Sequence, residues 1–437
     1  MTSTVSGALP PATAYHRVPI RLLNRCLYFA NAVGIGRVHF SADTLMAKAS
    51  VETGLADFGD KRFLEPFHLI CDGLNNEARL NPVGARLTQM SLMRLLRHRL
   101  WAEDLISRHP EILAREIRAP LVIVGLARSG TTRLHRLLAA DPGFLHLKAW
   151  ESVNPVPGPA SFRARASGQK DPRITATEQG LKAVLYMSPQ IASVHPLGAF
   201  EVEEEVGLLQ HAFSSQLFEV ITHLPSFARY LMQTDQTYAY EYMVRLMKII
   251  SWWRGDDDRP WVLKTPQHMQ DLDALLSVFP DARLVCSHRD PIKVVGSACS
   301  MAWNSLVRDT DTVDPHGVGQ EWLNKTDAMV RKTQKVRASV PAEQQIDVLY
   351  QDINADWRAV IEQIYEYFGL PLSDQALTGM QDWLDRNARH KHGAHNYRLA
   401  DFGLDEGQVD QRLLYYRKRF NIPYERKNPH LASGASV

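Results

Sequence analysis

The residues best suited to chemistry lie in one stretch, Leu121 to Leu134, which reads LVIVGLARSGTTRL. A strand-length apolar run leads into a turn bounded by Gly125 and Gly130, and an amphipathic helix follows at once. Glycines at this spacing let the backbone curl until successive N–H groups and the helix N-terminus converge on a single anion. Ser129, Thr131 and Thr132 add hydroxyl donors, and Arg128 adds a guanidinium that can grip phosphate oxygens in bidentate fashion. So many anion-binding groups in one turn point to a phosphate loop rather than a plain strand-to-helix connection.

What the loop lacks limits its chemistry. A nucleotide triphosphatase places Lys and then Ser or Thr after the second glycine, the first for the β and γ phosphates and the second for magnesium. Here Thr131 holds the lysine position, and the Trp261–Leu263 run ends in Lys264 where such enzymes often carry a metal-binding Asp. A cation there repels magnesium, so the sequence points to protein cations, and no metal, neutralising the transferring group. A second anion site is expected at Arg289, the end of another apolar run, with Ser297 eight residues on along a helix opened by Pro291. For a proton acceptor the richest segment is His195 to Glu205, with Glu203 and Glu204 ahead of the apolar run Val206–Phe213. Acids before a helix also favour its dipole, so that bland role stays open for each of them.

These groups need a scaffold, and the pattern supplies one. From Ala119 onward, strand candidates at Leu121–Val124, Phe144–Ala149, Trp261–Lys264, Arg283–Ser287 and Ile346–Tyr350 alternate with helical patterns at Thr131–Ala140, Gln267–Phe279, Ile292–Trp303, Gln320–Ser339 and Asp356–Phe368. That alternation predicts an α/β fold with a P-loop-type parallel sheet flanked by helices. Before it the apolar spacing is helical, at Ile20–Val33, Ala42–Thr53, Phe63–Leu80 and Gly84–Ser107. An all-helical N-terminal region over 1–118, an α/β domain over 119–425 and a flexible tail over 426–437 are expected. Asn154–Pro172 and Arg308–Gly319 read as loops able to act as lids. Arg94, Arg97 and Arg99 read as the solvated face of an amphipathic helix.

Composition narrows the classes further. The 437 residues carry 50 Lys+Arg and 48 Asp+Glu, a net charge of +2, which argues against a nucleic-acid partner and makes any anion site local. No apolar run reaches the length of a membrane span, no secretory signal is visible, and four scattered cysteines suit a reducing cytoplasm. Aromatic residues crowd Tyr186–Met243, which suits a hydrophobic or lipid-like small-molecule acceptor. Oligomeric state is not legible.

The loop Gly125–Thr132 and the Arg289–Ser297 pair resemble those of sulfotransferases that use 3′-phosphoadenosine 5′-phosphosulfate (PAPS), over residues 119 to about 425. Arg128 in place of a more common Lys, and the run Leu134–Leu138, look most like the large bacterial branch with a helical N-terminal extension. Ala127 stands where the family commonly has Pro. The resemblance implies that Arg128, Ser129, Gly130, Thr131, Thr132 and Arg133 meet the 5′ phosphosulfate, and that Arg289 and Ser297 meet the 3′ phosphate. It also implies a basic loop over that phosphate at Lys391, His392 and Gly393. Lys264 is placed like a family lysine on the transferring group. The base is a Glu or His in relatives, so Glu204 and Glu203 come first here, then His195, with His268 a further candidate. A P-loop kinase or NTPase, and a non-catalytic nucleotide-binding protein, are the alternatives.

Overall fold

The computed structural model describes residues 9–193, 198–387 and 397–425. Four parallel strands form the sheet: β1 (Leu121–Gly125), β2 (Val262–Lys264), β3 (Arg283–His288) and β4 (Gln345–Leu349), in the order β2-β1-β3-β4. The register sets Ile123 beside Lys264, Gly125 beside Ser287 and His288 beside Leu349. All four strands therefore end at one edge, the place where open parallel sheets bind ligands.

β1 shows why its run is apolar without alternation. Val122 and Val124 enter one core and Leu121 and Ile123 the other, so both faces of the strand are covered. The N-terminal helices are α1 to α4 (Val18–Ala32, Ala42–Thr53, Leu64–Asn76 and Pro82–Arg108), and the first of these cores takes in α2, α3 and α4 through residues such as Leu45, Phe67, Leu95, Leu96 and Leu100, while α1 adds none of its residues to it. The helical region and the β1 face thus share one hydrophobic core. Five further helices matter below: α5 (Thr131–Leu138), α6 (Pro172–Met187), α7 (Pro291–Asp309), α8 (Pro315–Arg337) and α9 (Glu406–Arg419). No helix among the described residues is long and apolar enough to cross a membrane.

Several expectations need correction. Asn154–Pro172 is not an open loop, because Pro159–Ala166 is helical, with Gly158 at its N-cap and Pro159 in its first turn. The same residues that punctuate loops also start helices. Likewise α7 runs on to Asp309 and α8 begins at Pro315, with Asp314 accepting from the His316 N–H at 3.0 Å, so only a short link remains there. Phe144–Ala149 meets the sheet through a single bridge, Leu145 to Trp261. Gln267–Phe279 is split into a 3-10 turn, Pro266–Met269, and a helix, Leu272–Val278. Val206–Phe213 is likewise one α-turn followed by a 3-10 turn, closed by Phe213 at φ 55°.

The arginines of α4 are not a solvated face. Arg99 is buried, sandwiched 3.9 Å from the Phe63 ring and 4.1 Å from that of Tyr242, and it donates to the carbonyls of Phe58, Asp60 and His211. A flat, weakly hydrated guanidinium with five donors can satisfy several loop carbonyls and still stack, which periodicity does not reveal. Arg94 donates to the Val153 carbonyl, and burial pushes its guanidinium down to about 10. Arg97 pairs with Glu52 at 2.9 Å.

Candidate active site

The turn between β1 and α5 is held by its own hydroxyls. Ser129 donates to the Leu126 carbonyl at 2.7 Å, and Ser287 on β3 donates to the Ser129 carbonyl at 2.8 Å. Ser129 is therefore a brace within the loop as well as part of its predicted donor set. Arg128 and Gly130 both adopt left-handed backbone angles, φ 72° and 87°. At Gly130 a Cβ would come within 2.5 Å of the Tyr350 ring, so only glycine fits. At Arg128 the strain is carried by a non-glycine residue whose carbonyl is fixed by Arg289 Nη1 at 2.7 Å. The first N–H groups of α5 have no partner within the helix, and this conformation gathers them at the strand edge.

The two predicted phosphate sites are adjacent. Arg128 Nε donates to Ser297 Oγ at 3.1 Å, joining the loop to α7. Burial, and then the neighbouring Arg289, lower the Arg128 guanidinium from its ordinary value, the direction expected where cations are gathered for an anion. Arg289 lies 3.9 Å from the centre of the Tyr350 ring and meets Glu425 in bidentate fashion, at 2.7 and 2.8 Å. Burial pushes this guanidinium down, but Glu425 together with the Tyr350 and Tyr397 hydroxyls outweighs it and the net direction is upward. A carboxylate fork seated on Arg289 has the geometry phosphate oxygens would use, and with the glycine-only turn these residues fit a ligand bearing two anionic groups. Glu425 is brought there by Asp290, which accepts from the Glu425 N–H and from Arg417 on α9, both at 2.7 Å.

Lys264 is buried at the end of β2, donates to Thr132 Oγ1 at 3.2 Å and forms an ion pair with Glu204. Glu205, the next residue, turns the other way. Its Oε2 accepts from the Lys264 backbone N–H at 2.9 Å and lies 3.5 Å from His268 Nε2. His268 in turn shares a 3.0 Å hydrogen bond with the Tyr240 hydroxyl, fully buried. Of the base candidates, Glu203 and Glu204 line the large cavity beside the loop, whereas His268 does not. Arg133 donates to Asn354 at 2.8 Å. His195, Lys391, His392 and Gly393 lie outside the described residues.

That cavity has a volume of about 340 Å³. Arg128, Thr132, Glu204 and Lys264 stand at one part of its wall, and side chains such as Leu181, Ile191, Leu217, Val220, Met301 and Trp322 make most of the rest apolar. The arrangement can hold an anionic donor against cations, a carboxylate within reach of the lysine, and an apolar molecule alongside. Sequence reading missed Tyr350, Glu205 and Glu425. Tyr350 carried a signal, since it closes a strand pattern; Glu205 carried one only as part of the acidic run His195–Glu205, and Glu425 carried none.

Comparison with known proteins agrees with this geometry. The profile of the sulfotransferase family matches residues 120–374. The solved structure of sulfotransferase STF1 from Mycobacterium tuberculosis H37Rv is 30% identical, covers 85% of this chain and 98% of its own, and has a TM-score of 0.74. That of sulfotransferase STF9 from Mycobacterium avium is 27% identical, covers 90% and 100%, and has a TM-score of 0.79. No curated protein matches the chain.

Proposed function

The chain belongs to the sulfotransferase family, and we propose that it moves a sulfuryl group from PAPS to a hydroxyl or amine of a hydrophobic small molecule held in the apolar cavity. When bound, PAPS supplies an activated sulfuryl group whose leaving group is a phosphate. Arg289 and Ser297 hold the 3′ phosphate, with Arg289 exchanging the Glu425 carboxylate for it. The Gly125–Thr132 turn and Arg128 hold the 5′ end. Lys264, tethered to Thr132, presents its ammonium where negative charge builds up, so protein cations do the neutralising that magnesium does in nucleotide phosphotransfer.

Glu204 takes the proton of the acceptor. It pairs with Lys264 and lines the cavity, so it touches both halves of the site. Once the acceptor proton moves to Glu204, its oxygen or nitrogen becomes the nucleophile, and the lysine ammonium is released from the carboxylate toward the transferring group. Apolar walls exclude water, which would otherwise compete as acceptor. The preference for a hydrophobic acceptor rests on those same walls.

The observation that carries this reading is the Lys264–Glu204 pair at the junction of phosphate loop and cavity. Thermal shift with 3′,5′-adenosine bisphosphate, compared with ATP plus magnesium, and then transfer from labelled PAPS to a panel of apolar alcohols, test it. Stabilisation by the bisphosphate and label on an alcohol are expected. A response to ATP plus magnesium alone would overturn it.

A further inference from the structure

The first α-helix, α1, is attached by one face only. Asn24 accepts from the Val83 N–H at 3.0 Å, Tyr28 donates to Asp311 at 2.8 Å, and just ahead of the helix His16 lies 2.6 Å from the Val307 carbonyl. The other face of α1 is apolar and open. Val18, Leu22, Cys26, Phe29 and Val33 recur at the spacing of a single helical stripe, and Val18, Leu22, Phe29 and Val33 are 56, 55, 75 and 58% exposed. A stripe of this size on the outside of a water-soluble domain marks a contact.

Charge identifies what it contacts. Residues 1–42 contain four arginines, Arg17, Arg21, Arg25 and Arg37, and no Asp or Glu. On the helix, Arg21 and Arg25 fall at one border of the stripe, where long side chains can keep their charges in a polar layer while the apolar face is buried. An apolar face bordered by arginine alone is the pattern of a helix lying in the interface of an anionic bilayer. A second copy of this chain fits less well, because pairing two such patches brings together two arginine borders with no acidic residue of this segment to offset them.

Position agrees with charge. Arg17 stacks 4.6 Å from the ring centre of Tyr186 on α6, and Tyr15 packs against Trp303 on α7 with ring centres 6.2 Å apart. Both helices also line the cavity, α6 through Thr177 and Leu181 and α7 through Met301 and Asn304. We infer that α1 docks the protein on an anionic lipid surface, with the helices of the cavity wall directly behind it. This docking stands apart from the reading of the transfer reaction and is measured without donor or acceptor.

The full chain is mixed with sedimentable vesicles of phosphatidylglycerol and phosphatidylcholine, or of phosphatidylcholine alone. Partition onto the anionic vesicles is expected to exceed that onto neutral ones by about tenfold or more and to weaken as salt is raised. The double variant Leu22→Gln/Phe29→Gln should lose about tenfold in that partition with its melting temperature unchanged, since both residues are exposed. Arg21→Gln/Arg25→Gln should bring anionic binding down toward the neutral level. Wild-type protein that stays in the supernatant with both vesicles would overturn the inference. So would a dimer in sedimentation equilibrium that Leu22→Gln/Phe29→Gln turns into a monomer, which would give the stripe to a second copy.

Discussion

The cation-lined strand edge and the apolar cavity share a wall at Lys264 and Glu204 but are built in opposite ways. The edge is set by backbone: a turn strained at Arg128, a glycine that admits no side chain at Gly130, and strand register that sets Lys264 beside Ile123 and Ser287 beside Gly125, with Arg289 just past the end of β3. Its charges stand close together because parallel strands end together. The cavity is set by packing, from residues that stretch from Leu126 to Met329 and share no motif. The edge should therefore tolerate little change and decide whether transfer occurs, whereas the cavity should tolerate more and decide to what.

The sharpest way to break that contrast is to remove a cation. Arg128→Ala and Lys264→Ala should each lower transfer by about 100- to 1,000-fold. Arg128→Ala should also abolish the thermal shift with 3′,5′-adenosine bisphosphate, while Lys264→Ala should retain most of it. Single-turnover transfer with labelled PAPS measures the first effect. Near-normal turnover in both variants would mean that the cavity, by positioning alone, supplies the catalysis.

Next comes the shared wall. Glu204→Gln should cost about 100-fold in turnover with bisphosphate binding kept, and Glu203→Gln should cost less, because among the described residues it is Glu204 that pairs with Lys264. The reverse ranking would move the base to Glu203 and separate it from the lysine.

The same contrast explains what could be read from sequence. The loop and β1 were legible because each consists of contiguous residues whose spacing is itself the geometry, and the structure brings Lys264, Arg289 and Ser297, expected at strand ends and on the helix that follows, to that same edge. Glu205 and Glu425 were not. Glu205 looked like one of four acids before a helix, yet it bonds the Lys264 backbone, a contact across 59 residues of chain. Glu425 lies near the end of the described chain and reaches Arg289 only because Asp290 and Arg417 hold that segment. Arg99 failed for a related reason: helical periodicity assigns charge to solvent, but here the guanidinium is the core's means of satisfying loop carbonyls. Asn154–Pro172 failed because Gly-Pro marks both a loop and a helix start.

In the cavity the expected effects are smaller. Met301→Ala enlarges the apolar wall and should shift preference toward acceptors longer by one or two methylenes, by about tenfold in kcat/KM, with bisphosphate binding unchanged. Stability sharpens the comparison from another side. His98 and His211, stacked with ring centres 5.2 Å apart behind the cavity, are both held well below 6.5, first by burial. A depressed histidine stays neutral when folded but gains a proton when unfolded, so the stability it contributes is present above pH 6.5 and lost as pH falls below it. The melting temperature should hold steady from pH 8 to 7 and drop below 6.5, and His98→Gln should flatten that drop.

The smallest effect runs in the opposite direction from the rest. Glu425 occupies the Arg289 guanidinium with the geometry a phosphate would use, so on the proposed function the 3′ phosphate of the nucleotide has to displace it. The pair is partly exposed, 19% for Arg289 and 30% for Glu425, which limits its strength to that of a surface ion pair. Glu425→Gln should therefore tighten 3′,5′-adenosine bisphosphate by only about fivefold, the upper end of what such a pair is worth. Isothermal titration with adenosine 5′-phosphate, which lacks the 3′ group, supplies the control and should show no gain. Equal tightening of both ligands would mean that Glu425 acts on the field of the whole edge and not on the 3′ phosphate site. Weaker binding would mean that its hold on Arg289, which also fixes the Arg128 carbonyl, is what keeps the strained turn in place.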